Sequence, residues 1–487
     1  MNRQIRIVGI VLVVLFSALF LQLTRLQVVD SKALRNDPRN TRQIVVDFSN
    51  ERGRILAADG TTVLAQSVAT DDELKRLRQY VNGPLYAPIT GYFSFNYGTD
   101  GVERQYNEML AGSSVAVTDL ASLLAAKSRT KDVTTTIIPA IQEAAAAALG
   151  TKRGAVIALD PRTGAILAMV STPSFDPNVL AGHSLPAVRE AWQRFQDDPG
   201  KPMLPRPYRE RYSPGSTFKV ITTTAAVTKA PELVAKRYPV LRALNLPGTT
   251  KDLPNFGGAA CGGDLPALLK VSCNTGFGQL GLDLGAQRLS DQANQFGFNE
   301  RPPIDLPAAT KSFFPDPSGL KLQSQVAVSA IGQLDVTASP LQMALVAAAV
   351  GDGGTIMTPH VMDHITDQDG AVVQRYAPKP WKQPMDGEAA RAVNLMMVGV
   401  VNGGTATAAG LPGIQVAAKT GTAQTVGDNA HAWLIACAPA GGQTGTIARV
   451  AVAVIVESQP GLGDVTGGRI AAPIAKQVLA AALPLVP

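Results

Sequence analysis

The stretch YSPGSTFKVITT, from Tyr212 to Thr223, puts a Pro-Gly pair ahead of a serine, a lysine three residues on, and then an apolar, helix-compatible run. On a helix, residues three apart share a face, so the Ser216 hydroxyl and the Lys219 ammonium stand side by side, about 5–6 Å apart at Cβ. Pro214 and Gly215 place the serine in the first turn, where unpaired backbone N–H groups and the helix dipole favour negative charge. A lysine held there, partly desolvated and near positive potential, has its pKa lowered and can act as a base; the serine would then be a nucleophile. Taken alone the motif is weak, and more often structural than catalytic. The same chain carries Ser318 and Lys321 in PSGLK, where a solvated helix start is expected.

Two further elements follow in order. Ser272-Cys273-Asn274, in LLKVSCNTGF, sets two polar side chains on either side of a cysteine at a helix end or loop. Lys419-Thr420-Gly421 lies inside a predicted strand, followed by Thr422, and Lys-Thr-Gly occurs once. Ser94-Phe95-Asn96 also fits Ser-x-Asn, but it precedes the serine. Other patterns fail on context. Gly276-x-Gly278-x-x-Gly281 satisfies a dinucleotide fingerprint but follows a helix or loop where a strand is required, so it reads as helix packing. His431 begins a predicted strand and reads as a strand-end residue. Three cysteines without C-x-x-C spacing and four histidines argue against a metal site. Cys261 and Cys273 could close a short loop in an oxidising compartment, leaving Cys437 free; in the cytosol all three would be buried thiols.

These residues need a scaffold. The 487-residue chain suits two or three domains, and its 46% hydrophobic content reads as folded throughout. Its net charge of +6 is spread without basic blocks, which favours an anionic membrane or wall surface over nucleic acid. Between Arg6 and Arg25 run 18 uncharged residues, close to the ~20 needed to cross a bilayer. With no small-x-small cleavage site after Phe20, this reads as an uncleaved anchor. Arg3 and Arg6 on one side against Arg25, Lys32, Arg35 and Arg39 on the other leave the orientation open.

Beyond the anchor, RGRILAADGTTVLAQS predicts a hairpin around Asp59-Gly60. DDELKRLRQYV predicts a short surface helix, and SRTKDVTTTI marks a boundary. IIPAIQEAAAAALG predicts a helix ended by Gly150. GAVIALDPRTGAILAMVS predicts strands at Ala155–Leu159 and Ala165–Val170. Three more strands, in IQVAAKTGTAQ, HAWLIACA and ARVAVAVIVE, precede a closing helix in APIAKQVLAAAL. Helical patterns fill the span from Pro186 to about Pro412. Strands at both ends with helices between imply one sheet assembled from distant segments under a helical layer.

The set Ser-x-x-Lys, Ser-x-Asn, Lys-Thr-Gly resembles that of the penicillin-recognising serine enzymes. With RGRILAADGTTVLAQS, GVERQYNEMLAG, GAVIALDPRTGAILAMVSTPSFDPN, GQLDVTASPLQMA and AAKTGTAQ, nearly everything after the anchor is similar to the class B penicillin-binding proteins, in their compact actinobacterial form. The resemblance implies a three-layer α/β serine transpeptidase fold like that of β-lactamases, with a five-stranded, mainly antiparallel sheet between helical layers. The division expected is a cytoplasmic tail (1–6), an anchor (7–24), a small mixed pedestal or dimerisation-like domain (25–130) and a transpeptidase domain (131–487) outside the cytoplasm.

The family's roles carry over residue by residue. Ser216 would attack the carbonyl between the last two D-alanines of a peptidoglycan stem peptide, and Lys219 would take its proton. Ser272, bonded between two lysines, would relay a proton to the leaving amine. Asn274 would hold the stem's backbone, Lys419 would keep the field positive, and Thr420 and Thr422 would grip the terminal carboxylate, with Gly421 allowing close approach. Backbone N–H groups of Ser216 and Thr422 would form the oxyanion hole. The resemblance also implies a Cys261–Cys273 bond, no cofactor, acylation by β-lactams, and partners that include a membrane glycosyltransferase and other division or elongation proteins. A D,D-carboxypeptidase or a non-catalytic scaffold of the same fold are the alternatives. A β-lactamase is disfavoured, since no Glu-x-x-x-Asn segment follows Asn274 at a suitable distance. So is a bifunctional synthase, since only about 100 residues separate anchor and catalytic domain.

Overall fold

The computed structural model describes residues 2–30, 48–112, 130–246, 248–424, 430–441, 447–460 and 466–487. Helix α1 (Asn2–Thr24) continues as a π-helical turn, Arg25–Val29. Within the span Arg3–Val28, the most apolar 18-residue window has a mean hydropathy of 2.6 and is not buried against the rest of the chain, which fits a membrane anchor. Lys32, Arg35 and Arg39, part of the flanking charge count, lie outside the described residues.

The first sheet is built from β1 (Ile55–Leu56), β2 (Val63–Ala69), β3 (Arg76–Tyr80) and β4 (Asp132–Thr135). The hairpin around Asp59-Gly60 forms as expected, with Asp59 accepting from the N–H groups of Thr61 and Thr62. The surface helix expected over DDELKRLRQYV does not form. Lys75 adopts φ 59° and turns the chain into β3, which pairs antiparallel with β2. Arg78 and Tyr80 alternate inwards along β3. Arg78 tolerates burial because Glu103 stands between it and Arg52, with Nε–Oε distances of 2.6 Å to each. Burial raises the Glu103 pKa, but the two guanidinium charges outweigh it and hold the carboxyl below its ordinary value. A charged residue on an inward position hides the strand from a periodicity reading.

The stretch read as a boundary also carries a strand. Strand β4 runs parallel to β1 and antiparallel to Met362–Thr366, so a hairpin from far downstream (Met362–Thr366 and Val372–Arg375) completes the six-stranded sheet. Asp305 clamps this junction: it accepts from the Tyr106 hydroxyl at 2.6 Å and from the backbone N–H groups of Val361 and Met362.

After helix α2 (Pro139–Leu149) come β5 (Gly154–Leu159) and β6 (Ile166–Thr172). Helices α3 (Lys219–Lys229), α4 (Leu265–Lys270), α5 (Asn274–Gln295), α6 (Pro340–Gly351) and α7 (Gly387–Val401) fill the middle of the chain. Then follow β7 (Ala417–Gln424), β8 (Ala430–Ala438), β9 (Val450–Val456) and helix α8 (Ala472–Ala482). The second sheet has the order β7-β8-β9-β5-β6: the distant segments meet in one sheet as the pattern implied, and its antiparallel strands agree with the five-stranded, mainly antiparallel sheet that the resemblance implied. Strand β9 is buried at all seven positions, so helices cover both faces and its sequence reads as an unbroken apolar run. Helix α6 is apolar all round and wholly buried, the state such a helix requires. Gly276, Gly278 and Gly281 lie within α5; a Cβ at Gly276 or Gly281 would stand 2.4 Å from Leu268 or Ala330, so the glycines serve helix packing as expected. One edge of this sheet is β7, the strand that carries Lys-Thr-Gly.

Replacing Glu103 with glutamine leaves two buried guanidinium groups without a counter-charge, and should cost about 3–5 kcal/mol. Thermal or urea unfolding of Glu103→Gln measures this, and a loss within experimental error would show that water reaches the Arg52–Glu103–Arg78 cluster.

Candidate active site

The three motifs arrive from three directions and interlock. Ser216 lies in a 3-10 turn, Gly215–Phe218, that leads into α3, whose first eight residues are buried. Gly215 sits at φ 52°, and a Cβ there would be 3.0 Å from the Thr422 carbonyl oxygen. Reciprocally, a Cβ at Gly421 would be 2.9 Å from the Pro214 carbonyl. The serine turn is therefore seated on strand β7, and only glycine at both positions allows that approach. Trp433 in β8 fixes the same turn by donating from Nε1 to the Ser213 carbonyl at 3.0 Å.

The Ser272-Cys273-Asn274 segment forms the bend between α4 and α5, with Ser272 at φ 58°. Cys273 is buried and disulfide-bonded to Cys261, and the free Cys437 is buried elsewhere, its thiol pushed up to about 12 by desolvation. Asn255 steadies the same bend, accepting from the Thr275 N–H at 2.9 Å and donating to the Leu241 and Ala259 carbonyls.

At the centre, Lys219 Nζ donates to the Ser272 carbonyl (2.8 Å) and to Asn274 Oδ1 (2.7 Å), and stands 3.3 Å from Ser272 Oγ. Lys419 Nζ donates to Ser272 Oγ at 2.9 Å and to the Thr420 carbonyl at 2.8 Å. One serine hydroxyl thus bridges two fully buried lysines. A hydroxyl can accept from one amine and donate to the other. A chain from Lys419 through Ser272 to the lone pair of Lys219 uses every proton once, with Lys219 neutral. Its remaining two N–H groups match the Ser272 carbonyl and Asn274 Oδ1.

Electrostatics agree with that assignment. Burial, and then the charge of Lys419, hold the Lys219 pKa well below the lysine range. Burial brings Lys419 down to about 7. None of the hydrogen bonds of Lys219 goes to Ser216, so the partners expected to stand face to face are not bonded in this state. Ser216 is half-buried, and the Lys219 amine is held by the second motif instead.

The remaining expected residues fall in the same place. Lys419 and Gly421 alternate with Thr420 and Thr422 on β7, and the Thr420 hydroxyl lies 2.6 Å from that of Thr405. Thr405, in the turn after α7, has no signal in the sequence that ties it to the motifs. Also missed is Glu457, which accepts from Arg206 (2.7 Å) and from the Tyr212 hydroxyl (2.8 Å), anchoring the segment that leads to Ser216. His431 accepts from the Ser458 N–H and stacks edge-on against Tyr212, a supporting place at the start of β8. Ser318 sits on an exposed turn capped by Asp316. Among the described residues no cluster of His, Cys, Asp or Glu could hold a metal ion.

Comparison with known proteins agrees with this architecture. Residues 154–480 match the penicillin binding protein transpeptidase domain, and residues 52–132 match the penicillin binding protein A dimerisation domain. The chain is 39% identical over 500 residues to the peptidoglycan D,D-transpeptidase PbpA of Mycolicibacterium smegmatis, covering 99% of both chains. It is 38% identical over 502 residues to PbpA of Mycobacterium tuberculosis, again over 99% of both. Penicillin-binding protein A from M. tuberculosis, solved as a ceftriaxone acyl-enzyme complex, superposes with a TM-score of 0.83 at 37% identity, over 90% of this chain and 100% of that one. The chain therefore belongs to the class B penicillin-binding protein transpeptidases.

Lys419, brought down to about 7, still carries a proton part of the time at neutral pH, and the lowering makes stability depend on pH. The Lys419 contribution is fully present above 10.5, its unfolded value, and is lost as pH falls through about 7. Lys419→Met removes it, and should lower the slope of unfolding free energy between those limits by up to about 1.4 kcal/mol per pH unit. Denaturant unfolding across that range measures the slope; one identical to that of the unaltered protein would mean that Lys419 keeps an ordinary lysine pKa in the fold.

Proposed function

We propose that this chain is a membrane-anchored, serine-type peptidoglycan D,D-transpeptidase, in which Ser216 is the nucleophile and Lys219 its base. The observation that carries the reading is the single Ser272 hydroxyl shared between Lys219 and Lys419. That arrangement holds one amine neutral next to a serine and keeps a second cation in reserve, and a fold built for packing alone has no use for either.

The geometry supports the following course of reaction. A stem peptide ending in D-Ala-D-Ala lies along the open edge of β7, as an added strand would. Its terminal carboxylate meets the Thr420 and Thr422 hydroxyls over the positive field of Lys419. Ser216 Oγ attacks the carbonyl of the penultimate D-alanine while Lys219 Nζ takes the hydroxyl proton. The oxyanion is received by the N–H groups of Ser216 and Thr422, each such donor being worth roughly 100- to 1,000-fold in rate. The proton on Lys219 passes by way of Ser272 to the leaving nitrogen, the C–N bond breaks, and D-alanine departs. An amine from a neighbouring stem then attacks the ester with Lys219 again as base, which forms the cross-link and restores Ser216. β-Lactams acylate the same serine, and their adduct persists because the ring-opened leaving group stays attached.

The substrate lies outside the cytoplasm, so α1 anchors a body that faces outward, with the sheet around β1–β3 as pedestal and the domain from about residue 131 onward carrying the chemistry. A membrane glycosyltransferase that supplies the glycan strand is the partner this activity requires, within a division or elongation assembly.

Labelling with a fluorescent penicillin tests the assignment. The unaltered protein and Ser318→Ala should label, and Ser216→Ala should not; a labelled Ser216→Ala protein removes the serine from the mechanism. Lys219→Ala should retain the fold and slow acylation by ~100- to 10,000-fold, the usual worth of a general base.

A further inference from the structure

Building on the proposed transpeptidase reading, we infer that Thr405 is a positioning residue for recognition of the substrate's terminal carboxylate, acting through the hydroxyl of Thr420. The two oxygens are 2.6 Å apart, a hydrogen bond in which one of the two hydroxyl protons is used and the other is left over. Thr420 is 6% exposed and its backbone carbonyl is already held by Lys419 Nζ, whereas Thr405 is exposed at the rim. When Thr405 donates to Thr420, the Thr420 lone pair is occupied and its own proton turns away, into the cleft. A carboxylate only accepts hydrogen bonds, so a hydroxyl fixed as a donor suits it better than a free rotor. An ester or amide terminus gains less, because it brings no full charge.

The surroundings hold Thr405 in place for this task. Its N–H donates to the carbonyl of Lys270, the last residue of α4, at 3.3 Å. The chain reaches that position because residue 404 is glycine: a Cβ there would be 2.2 Å from the same Lys270 carbonyl. From the other side, a Cβ on Gly468 would be 2.5 Å from the Thr405 carbonyl. The turn is thus packed between the helix that leads to Ser272 and the residues that enter α8. It ties the Ser-x-Asn bend to the Lys-Thr-Gly strand at the mouth of the cleft.

The test uses the full-length protein in detergent and a pair of small D-alanyl thioesters, one ending in a carboxylate and the other in its methyl ester. Ser216 attacks the thioester carbonyl, the C–S bond breaks, and the released thiol is counted. Thr405→Val keeps the shape and deletes the donor. It should lower kcat/KM for the carboxylate substrate by roughly 10- to 100-fold, mostly through KM, while the methyl ester changes by less than about threefold. Thr405→Ser should recover the preference for the carboxylate. Equal losses on both substrates, or no loss on the carboxylate, would overturn the role of Thr405. Ser216→Ala separates the two claims: thiol release that persists in it contradicts the transpeptidase reading itself, whatever Thr405 does.

Discussion

Two lysine amines buried around one serine hydroxyl form the constraint on which the rest of this structure depends. Bringing two ammonium groups out of water to the same oxygen is prohibitively costly, so at least one must give up its proton. Lys219, with Lys419 close by and two good acceptors for its remaining N–H groups, is the one that gives it up. The consequence is an unprotonated amine, available as a base at neutral pH, one turn along the chain from a serine at the start of a helix.

Holding that arrangement explains many otherwise odd choices of residue. The serine turn must touch the edge strand, hence glycine at 215 and 421. The central bend must place a carbonyl and a hydroxyl on the same amine, hence a serine at φ 58° with its neighbouring cysteine bonded to Cys261. Glu457, with Arg206 and Tyr212, pins the segment that leads to Ser216. The downstream hairpin that completes the first sheet, and Asp305 with its bond to Tyr106, tie the pedestal to the body that carries these groups.

Much of this was legible in the sequence because the chemistry is carried by short motifs and the central sheet by apolar runs. Strands β5, β6, β8 and β9 were readable because burial on both faces leaves a nearly unbroken apolar signal between turn residues, and helices α2 and α8 because apolar residues recur at helical spacing. What escaped was decided by partners distant in the chain. Arg78 reads as a surface charge until Glu103 is seen beside it, 25 residues away, so β3 was taken for a helix. β4 reads as a linker until the strand at Met362–Thr366 pairs with it. Thr405 and Glu457 carry no local pattern at all; only the fold brings them to Thr420 and Tyr212. The engagement of Lys219 by Ser272 and Asn274, and not by Ser216, likewise follows from packing and not from the three-residue spacing.

The central claim is that Lys219 is neutral where ordinary lysines are charged, and the pH dependence of serine acylation reads this most directly. The second-order rate constant for acylation of the full-length protein by a penicillin, followed from mildly acidic to strongly alkaline buffer, should rise and then level off well below the ordinary lysine range. A rate that keeps climbing by about tenfold per pH unit up to that range, as for a base of unshifted pKa, would contradict the account.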